Sequence, residues 1–503
     1  MYTMSGYAMG IDVGTTAVKV VVISGEGKII CETSKEHDLI SLYPGWAEED
    51  ALKWWDNSVA AICELSSSFP DVIKNVSVIG CSGMVPAIVM LDKSGMPLRN
   101  SIQQNDARTI IEINELIKVV DQNKLFQLTG SKINQQNLLP RLLWVKRNEP
   151  KVFNRCKTIM GSYDYIAYKL TGKKSLELNW AVESAAFNIY NRKWMIDYLN
   201  EYGIDISLFP QVNEPMSVIG KVLPEISTLT GLKAGVPVIA GSADHVASAL
   251  SAGIIDQGDL LIKFGGAGDI LYCTEEIRPC EKLFFDYHDI PGKYLLSGCM
   301  AASGSLVKWY LNEWIGDCTG DILKSLDKAA EIVPAASDGL IILPYFLGEK
   351  TPIFDPTARG VMCGLTLSHK KEHVFRAILE SVVYGFKHHL EVYNELGYKP
   401  NRIIATNGGA KSSFWCQIAA DILGQQVKSF FTHAGSSLGV SFIAGMQSGI
   451  FTKWDEINKF LTDYKIYNPD NKKVEIYKKS YMIYRDLYQQ LLPSFKNINA
   501  LYK

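Results

Sequence analysis

Gly10-Ile11-Asp12-Val13-Gly14-Thr15-Thr16 closes one apolar run and opens another. The runs on either side, residues 8–13 and 17–23, read as two strands joined by a Gly-Thr-Thr turn. A Gly in a tight turn exposes backbone N–H groups, and the hydroxyls of Thr15 and Thr16 add donors. That combination suits phosphate oxygens. Asp12 projects from the end of its strand, where a carboxylate can hold Mg²⁺ through water. Lys19, beyond the turn, can add positive charge. An ordinary hairpin is the alternative reading of this segment.

Strands and helices alternate outward from this point. Residues 51–65 read as a helix and 76–80 as a buried strand. A second strand-rich block opens at 236–240 and continues with 260–264 and 270–273. Residues 305–315 look helical. Phe375, Ile378, Leu379, Val382, Phe386 and Leu390 keep the spacing of an amphipathic helix, and 403–406 is a short strand. The mixture predicts an α/β fold. Residues 10–23 and 259–273 share one plan: strand, Gly-rich turn, strand. We therefore expect two domains, 1–246 and 247–503, although no Ser/Gly/Pro-rich linker separates them.

The chain has 503 residues, 47% of them hydrophobic and 21% charged, which excludes a disordered tail and a collagen. Its 51 Lys+Arg against 53 Asp+Glu leave a net charge of −2. No basic excess exists to draw it onto nucleic acid or anionic lipid, so a small-molecule partner is expected. The 10 Cys form no C-x-x-C pair, which argues against a zinc or redox site and for reduced thiols in a cytoplasm. The first residues lack the basic start and apolar run of a signal peptide, and no apolar stretch reaches the ~20 residues needed to span a bilayer.

Two further Gly clusters stand out. Phe264-Gly265-Gly266-Ala267-Gly268-Asp269 has no bulky side chain to keep a ligand from its backbone, and a strand follows it, so it is not a Rossmann fingerprint. A flexible turn is the alternative. Asn407-Gly408-Gly409-Ala410-Lys411-Ser412 precedes an apparent helix over 414–423, whose N-terminus suits an anion; a helix start without a ligand fits equally well. No Walker A motif, G-x-S-x-G elbow, H-E-x-x-H or spaced Cys/His set occurs. Asp244 lies just past an apolar strand, at the sheet edge where α/β sites collect. It can accept a proton from a substrate hydroxyl or, more ordinarily, cap a helix. His245 reads as a neutral surface or core histidine. Asp106 and Arg108 can bond sugar hydroxyls or pair in a solvated loop, and Trp54 and Trp55 read as helix core.

Together these motifs resemble the FGGY carbohydrate kinases. Asp12 to Thr16 resembles the family's first phosphate motif. Pro44-Gly45-Trp46-Ala47-Glu48-Glu49-Asp50, followed by Trp54-Trp55, is a recurrent family run, and residues 348–367 and 360–380 fit its C-terminal signature. Gly408-Gly409-Ala410-Lys411-Ser412 with Trp415, Gln417 and Asp421 resembles its adenosine motif. The resemblance spans roughly residues 9–450. It implies two RNase H-like (actin-like ATPase) domains, ATP and Mg²⁺ in the cleft between them, and a catalytic Asp at Asp244.

Within the family the likeness is to xylulokinases, through Asp106/Arg108 and Ser82-Gly83. It departs from them at Ser82-Gly83-Met84-Val85-Pro86-Ala87, where the usual Gln and His are missing. Gly266 and Ala267 replace two hydroxyl residues, His245 stands where Gln or Asn is usual, and Arg141 where Lys is usual. The resemblance thus implies an ATP-dependent kinase of a ketose, most closely a pentulose such as xylulose or ribulose. It makes Asp244 the base and places Mg²⁺, through water, on Asp12 and Asp244. Nucleotide falls to Thr15, Thr16, Lys19, Gly265, Gly266, Gly304, Gly408, Gly409, Ala410 and Ser412; sugar falls to Met84, Val85, Asp106, Arg108 and Asp244. Family habit suggests a homodimer. An actin-like ATPase without a sugar, and a sugar-binding regulator, are the other classes. A polyol pocket at residues 82–87 and 106–108 argues against the first, and intact Asp12 and Asp244 against the second.

Overall fold

The computed structural model describes residues 6–430 and 434–501. Two mixed sheets of seven strands carry the architecture. In the first, Tyr7–Val13 and Ala17–Ser24 form an antiparallel hairpin, Lys28–Glu36 extends it, and Val76–Gly83 lies parallel to Tyr7–Val13. Pro237–Ile239 continues in parallel and Val218–Lys221 closes the row antiparallel. The second sheet repeats the pattern. Asp259–Phe264 and Gly268–Thr274 form the hairpin, and Tyr294–Met300 extends it. Arg402–Thr406 and Val427–Phe430 add parallel strands, and Tyr464–Tyr467 ends the row antiparallel. The similar plans of residues 10–23 and 259–273 therefore reflect two like α/β units.

Ile11, Val13, Val18 and the whole run Val20 to Ile23 are fully buried. Such unbroken apolar strands need a helix layer on each face. One face is covered by the helix Ala51–Ser68, which Asp50 caps by accepting from Leu52 N at 2.9 Å. It turns Trp54, Trp55, Ala61, Ile62 and Leu65 inward, as the core reading of the tryptophans required. The helix Ser436–Ser448 packs on the strands Tyr7–Val13 and Val76–Gly83, although it comes late in the chain. Glycines permit the approach: a Cβ on Gly10 would lie 2.1 Å from the Ser437 carbonyl oxygen, and one on Gly439 2.0 Å from that of Ala247. The expected boundary at 246/247 falls inside the helix Asp244–Ser251, which itself packs on Ser436–Ser448. Sequence order alone therefore does not divide the units, because a late segment returns to the first sheet. Among the described residues no helix is long and apolar enough to cross a membrane.

Candidate functional site

Strand register assembles the first half of the site. Asp12 is aligned with Ser82 on the parallel neighbour, and Ser82 with Ser242, two residues before Asp244. Asp12, Ser82 and Asp244 thus gather at the carboxyl end of the sheet, where open α/β sheets bind ligands. Ser82 Oγ donates to Asp12 Oδ1 at 2.8 Å. Burial pushes the Asp12 carboxyl above its usual range; bonds from Ser436 and Ser82 and the charge of Lys19 oppose this, and the nearby Asp244 carboxylate reinforces it. Gly14 N–H closes the turn on Ala17 O at 3.0 Å, leaving Thr15 and Thr16 exposed. Lys19 sits opposite Asp12 in the hairpin, but its ammonium pairs with Glu32 at 2.8 Å.

The second turn, residues 265–267, is buttressed by the start of the helix Gly304–Tyr310. Gly304 N donates to Gly265 O at 2.7 Å, and Ser303 N and Ser305 N donate to Gly266 O at 2.9 and 3.1 Å. A Cβ on Gly304 would lie 2.7 Å from that Gly265 oxygen, which explains the small residue there; a Cβ on Gly266 would meet nothing within 4 Å. At the third cluster Gly408 also faces open space. Its neighbours are committed to the fold. A Cβ on Gly409 would strike the Trp415 ring at 2.5 Å. Ala410 is buried, and its carbonyl accepts from Ser429 Oγ at 2.8 Å. Ser412 caps the helix Ser413–Leu423 by accepting from Trp415 N and donates to Asp327 at 2.8 Å.

A cavity of about 210 Å³ opens between the two sheets. Val85, Gln104, Gln136, Glu183, Asp244 and His245 border it from the first unit; Lys263, Ala267, Asp269, Asp286, Cys299 and Lys350 border it from the second. The Asp244 side chain is 34% exposed, and its Oδ1 accepts from His245 N at 2.7 Å. His245 is not an isolated surface or core imidazole. Its Nε2 lies 3.1 Å from Asp286 and 3.7 Å from Glu183, and its Nδ1 3.5 Å from Asp244. Burial disfavours its charged form, but the Asp286, Asp244 and Glu183 carboxylates outweigh that and hold the imidazole well above its ordinary value. Across the cavity Lys263 pairs with Asp269 at 3.2 Å. Sequence reading missed Glu183, Asp286 and Lys263. The only visible signal was Lys263 itself, a lone ammonium in the strand Leu260-Leu261-Ile262-Lys263-Phe264. A larger depression of about 740 Å³, bordered by Val119, Leu125 and Trp194, includes none of the predicted site residues.

Asp106 and Arg108 do not border the cavity. Both side chains are 1% exposed. Arg108 Nε and Nη2 donate to the two Asp106 oxygens at 2.8 and 2.7 Å, and Nη1 donates to Glu48 at 2.7 Å. Its guanidinium lies 3.8 Å from the Trp46 ring centre and 4.8 Å from that of Trp144. The guanidinium is thus engaged by Asp106 and Glu48 within the protein, as a buried charge requires, and does not reach the cavity. Met84 is likewise core, and only Val85 of that pair borders the cavity. The buried Arg141 ties the two loops together, donating to Pro86 O, Gln135 O and Gln104 O.

Comparison with known proteins agrees with this geometry. A family model described as "FGGY family of carbohydrate kinases, N-terminal domain" matches residues 7–251, and its C-terminal counterpart matches 281–448. The chain is 30% identical to the xylulose kinase of Bacillus subtilis (strain 168) over 96% of each chain. It is similar to the crystal structure of xylulose kinase from Rhodospirillum rubrum, with a TM-score of 0.92 and 38% identity over 97% of this chain and 100% of the other. The fold also matches that of Plasmodium falciparum glycerol kinase with ADP, at a TM-score of 0.87 and 21% identity over 97% of this chain and 98% of the other. With two like α/β units around a cleft that gathers carboxylates and a Gly-rich turn, the chain belongs to the FGGY family of carbohydrate kinases, enzymes that use ATP to phosphorylate a sugar.

Proposed function

We propose that the sugar phosphorylated by this kinase is a ketose, most closely a pentulose such as xylulose or ribulose, and that the phosphoryl group goes to its terminal hydroxyl. The observation that supports this reading is Asp244 on the wall of a cavity that Ala267 of the second Gly-rich turn also borders, with its charge reaching Asp12 and Lys263. Asp244 accepts the hydroxyl proton as that oxygen attacks the γ-phosphorus of ATP. The bond from γ-phosphorus to the bridging oxygen breaks, and ADP leaves with the electron pair. Thr15, Thr16 and the amides of the second turn hold the phosphates, and Gly408 leaves room for the nucleotide. Positioning and charge neutralisation supply most of the acceleration in such a transfer.

Two carboxylates close enough to raise the Asp12 proton affinity form a donor set that fits a divalent cation. Asp12 and Asp244 would hold Mg²⁺ through its water shell, and the ion when bound supplies charge neutralisation of phosphate oxygens. On the sugar side Gln104, Gln136, Glu183, His245 and Asp286 offer the polar groups that Asp106 and Arg108 do not. A homodimer follows family habit. The ten free cysteines fit a reducing, cytoplasmic setting.

The test is ATP consumption with and without D-xylulose, D-ribulose, L-ribulose, D-fructose and glycerol. Strong stimulation by a pentulose is expected. Equal turnover with and without every ketose would overturn the reading.

A further inference from the structure

The two hairpins that face the cleft carry inverted charges. In the first, Asp12 stands two residues before Gly14, opposite Lys19 and beside Ser82. In the second, Lys263 stands two residues before Gly265, opposite Asp269 and beside Thr406. The Thr406 hydroxyl is buried without a hydrogen-bond partner, so it does not occupy the ammonium. The tips differ too. The first presents two threonine hydroxyls; the second, Gly265-Gly266-Ala267, presents none. Lys263 and Asp269 border the cavity together with Asp244 and Ala267, and the Lys263 side chain is only 12% exposed.

We propose that Lys263, aimed into the cleft by its pairing with Asp269, contacts the transferring γ-phosphoryl of ATP and supplies the charge stabilisation that a turn without hydroxyls cannot. The inference rests on the kinase reading above. A fixed ammonium in a partly closed cavity stabilises developing charge on phosphoryl oxygens without reorganising when the reaction occurs. Burial disfavours the charged ammonium, but Asp269 and Asp244 more than restore it, so the cation is present when nucleotide arrives. Asp269 also orients it: a Lys has four flexible bonds, and the cross-strand pair restricts them. The cavity's other ammonium, Lys350, comes within 4.0 Å of Cys299 Sγ and belongs to neither hairpin.

The experiment measures ATP and ADP affinity by calorimetry in the full chain, without sugar, for the wild type, Lys263→Met and Lys263→Met/Asp269→Asn. The double variant removes both charges, so no buried carboxylate is left unpaired if the single variant fails to fold. A lost charge-assisted bond to the γ-phosphoryl should weaken ATP binding ~10–100-fold, with ADP binding unchanged. In the sugar-supported reaction kcat should fall ~10²–10³-fold, with the KM for sugar unchanged. Lys263→Arg, which keeps a cation there, should recover part of both losses. Parallel loss of ATP and ADP affinity, no loss of either, or a rise in sugar KM alone would overturn the proposal. A wild type that no sugar stimulates would sink the kinase reading instead, and the ATP-to-ADP comparison would still decide Lys263.

Discussion

The hairpin Tyr7–Val13/Ala17–Ser24 and the hairpin Asp259–Phe264/Gly268–Thr274 are both antiparallel, each with one parallel neighbour on its first strand and an acid–base opposition before the turn. Their furnishing differs. The first turn runs from Val13 to Val18 and exposes two hydroxyls; the second runs from Phe264 to Gly268, one residue shorter, with none. One residue before the strand end, the first carries a carboxylate and the second an ammonium. Symmetry of the fold therefore does not carry over into symmetry of chemistry. On the proposed reading one phosphoryl group passes between the two turns. A carboxylate would be useful on the side proposed to hold a metal ion, and a fixed cation on the side that would not.

Asp244 belongs to neither hairpin, yet its charge reaches Asp12 on one side and Lys263 on the other. Its replacement should have the largest effect. Asp244→Asn keeps the shape but cannot take a proton, and kcat should fall ~10²–10⁴-fold with ATP binding little changed. Retention of more than about a tenth of wild-type turnover would falsify the assignment. Asp12→Ala tests the polarity of the first hairpin. It should raise the Mg²⁺ concentration needed for half-maximal activity ~10–100-fold, the worth of one charge-assisted contact. Lys263→Met should leave that Mg²⁺ requirement in place. Equal shifts in both titrations would erase the distinction between the hairpins.

Packing offers a third comparison. Gly10, two residues before Asp12, corresponds to Leu261, two residues before Lys263, and Leu261 is fully buried. Leu261→Ala should cost about 2–5 kcal/mol through the cavity it leaves. Gly10→Ala should cost about 1–3 kcal/mol, because its Cβ would collide with the helix Ser436–Ser448. Urea unfolding checks both; a neutral Gly10→Ala would mean that the late helix does not press on the first sheet. The smallest effect on catalysis should come from Arg108→Lys. An ammonium cannot reproduce the fork to Asp106 and Glu48, so the melting temperature should fall by the equivalent of about 1–3 kcal/mol. Ratios of kcat/KM among sugars should stay as in the wild type. A changed sugar preference at unchanged stability would return Arg108 to the sugar site.

Legibility in the sequence followed range. Both hairpins were readable because alternating burial and turn chemistry act over a few residues. The strand expected over 76–80 is present and extends to Gly83. The long helix Asn471–Ala500 was not found, though Tyr477, Tyr481, Tyr484 and Tyr488 line one helical face and are buried there. The sequence reading assigns Asp106 and Arg108 to the sugar, with a solvated loop pair as the alternative. The buried pair they form is not legible there, since it depends on Trp46, Trp144 and Glu48 closing around them. Among the glycines of the three clusters, only Gly266 and Gly408 have room for a Cβ with nothing within 4 Å, while Gly409 is small because Trp415 occupies the adjacent space.

A preference for a phosphate role in the turns and a catalytic one for Asp244 came only from the family resemblance; by itself the sequence determined the α/β class, the two like halves and the Gly-rich turns between their strands. Local patterns suffice for these, because strand periodicity and glycine freedom do not depend on distant residues. Tertiary structure alone decided which side chains share the cavity. Glu183, His245 and Asp286 meet only because one unit's wall is folded against the other's. Lys263 faces Asp244 only because two sheets bring the carboxyl ends of their strands to one cleft. Helix Ser436–Ser448 joins the first sheet only because the chain returns to it. The reason is the same in each case: burial and charge pairing are properties of a neighbourhood, and chain order does not encode neighbours that lie far apart in sequence.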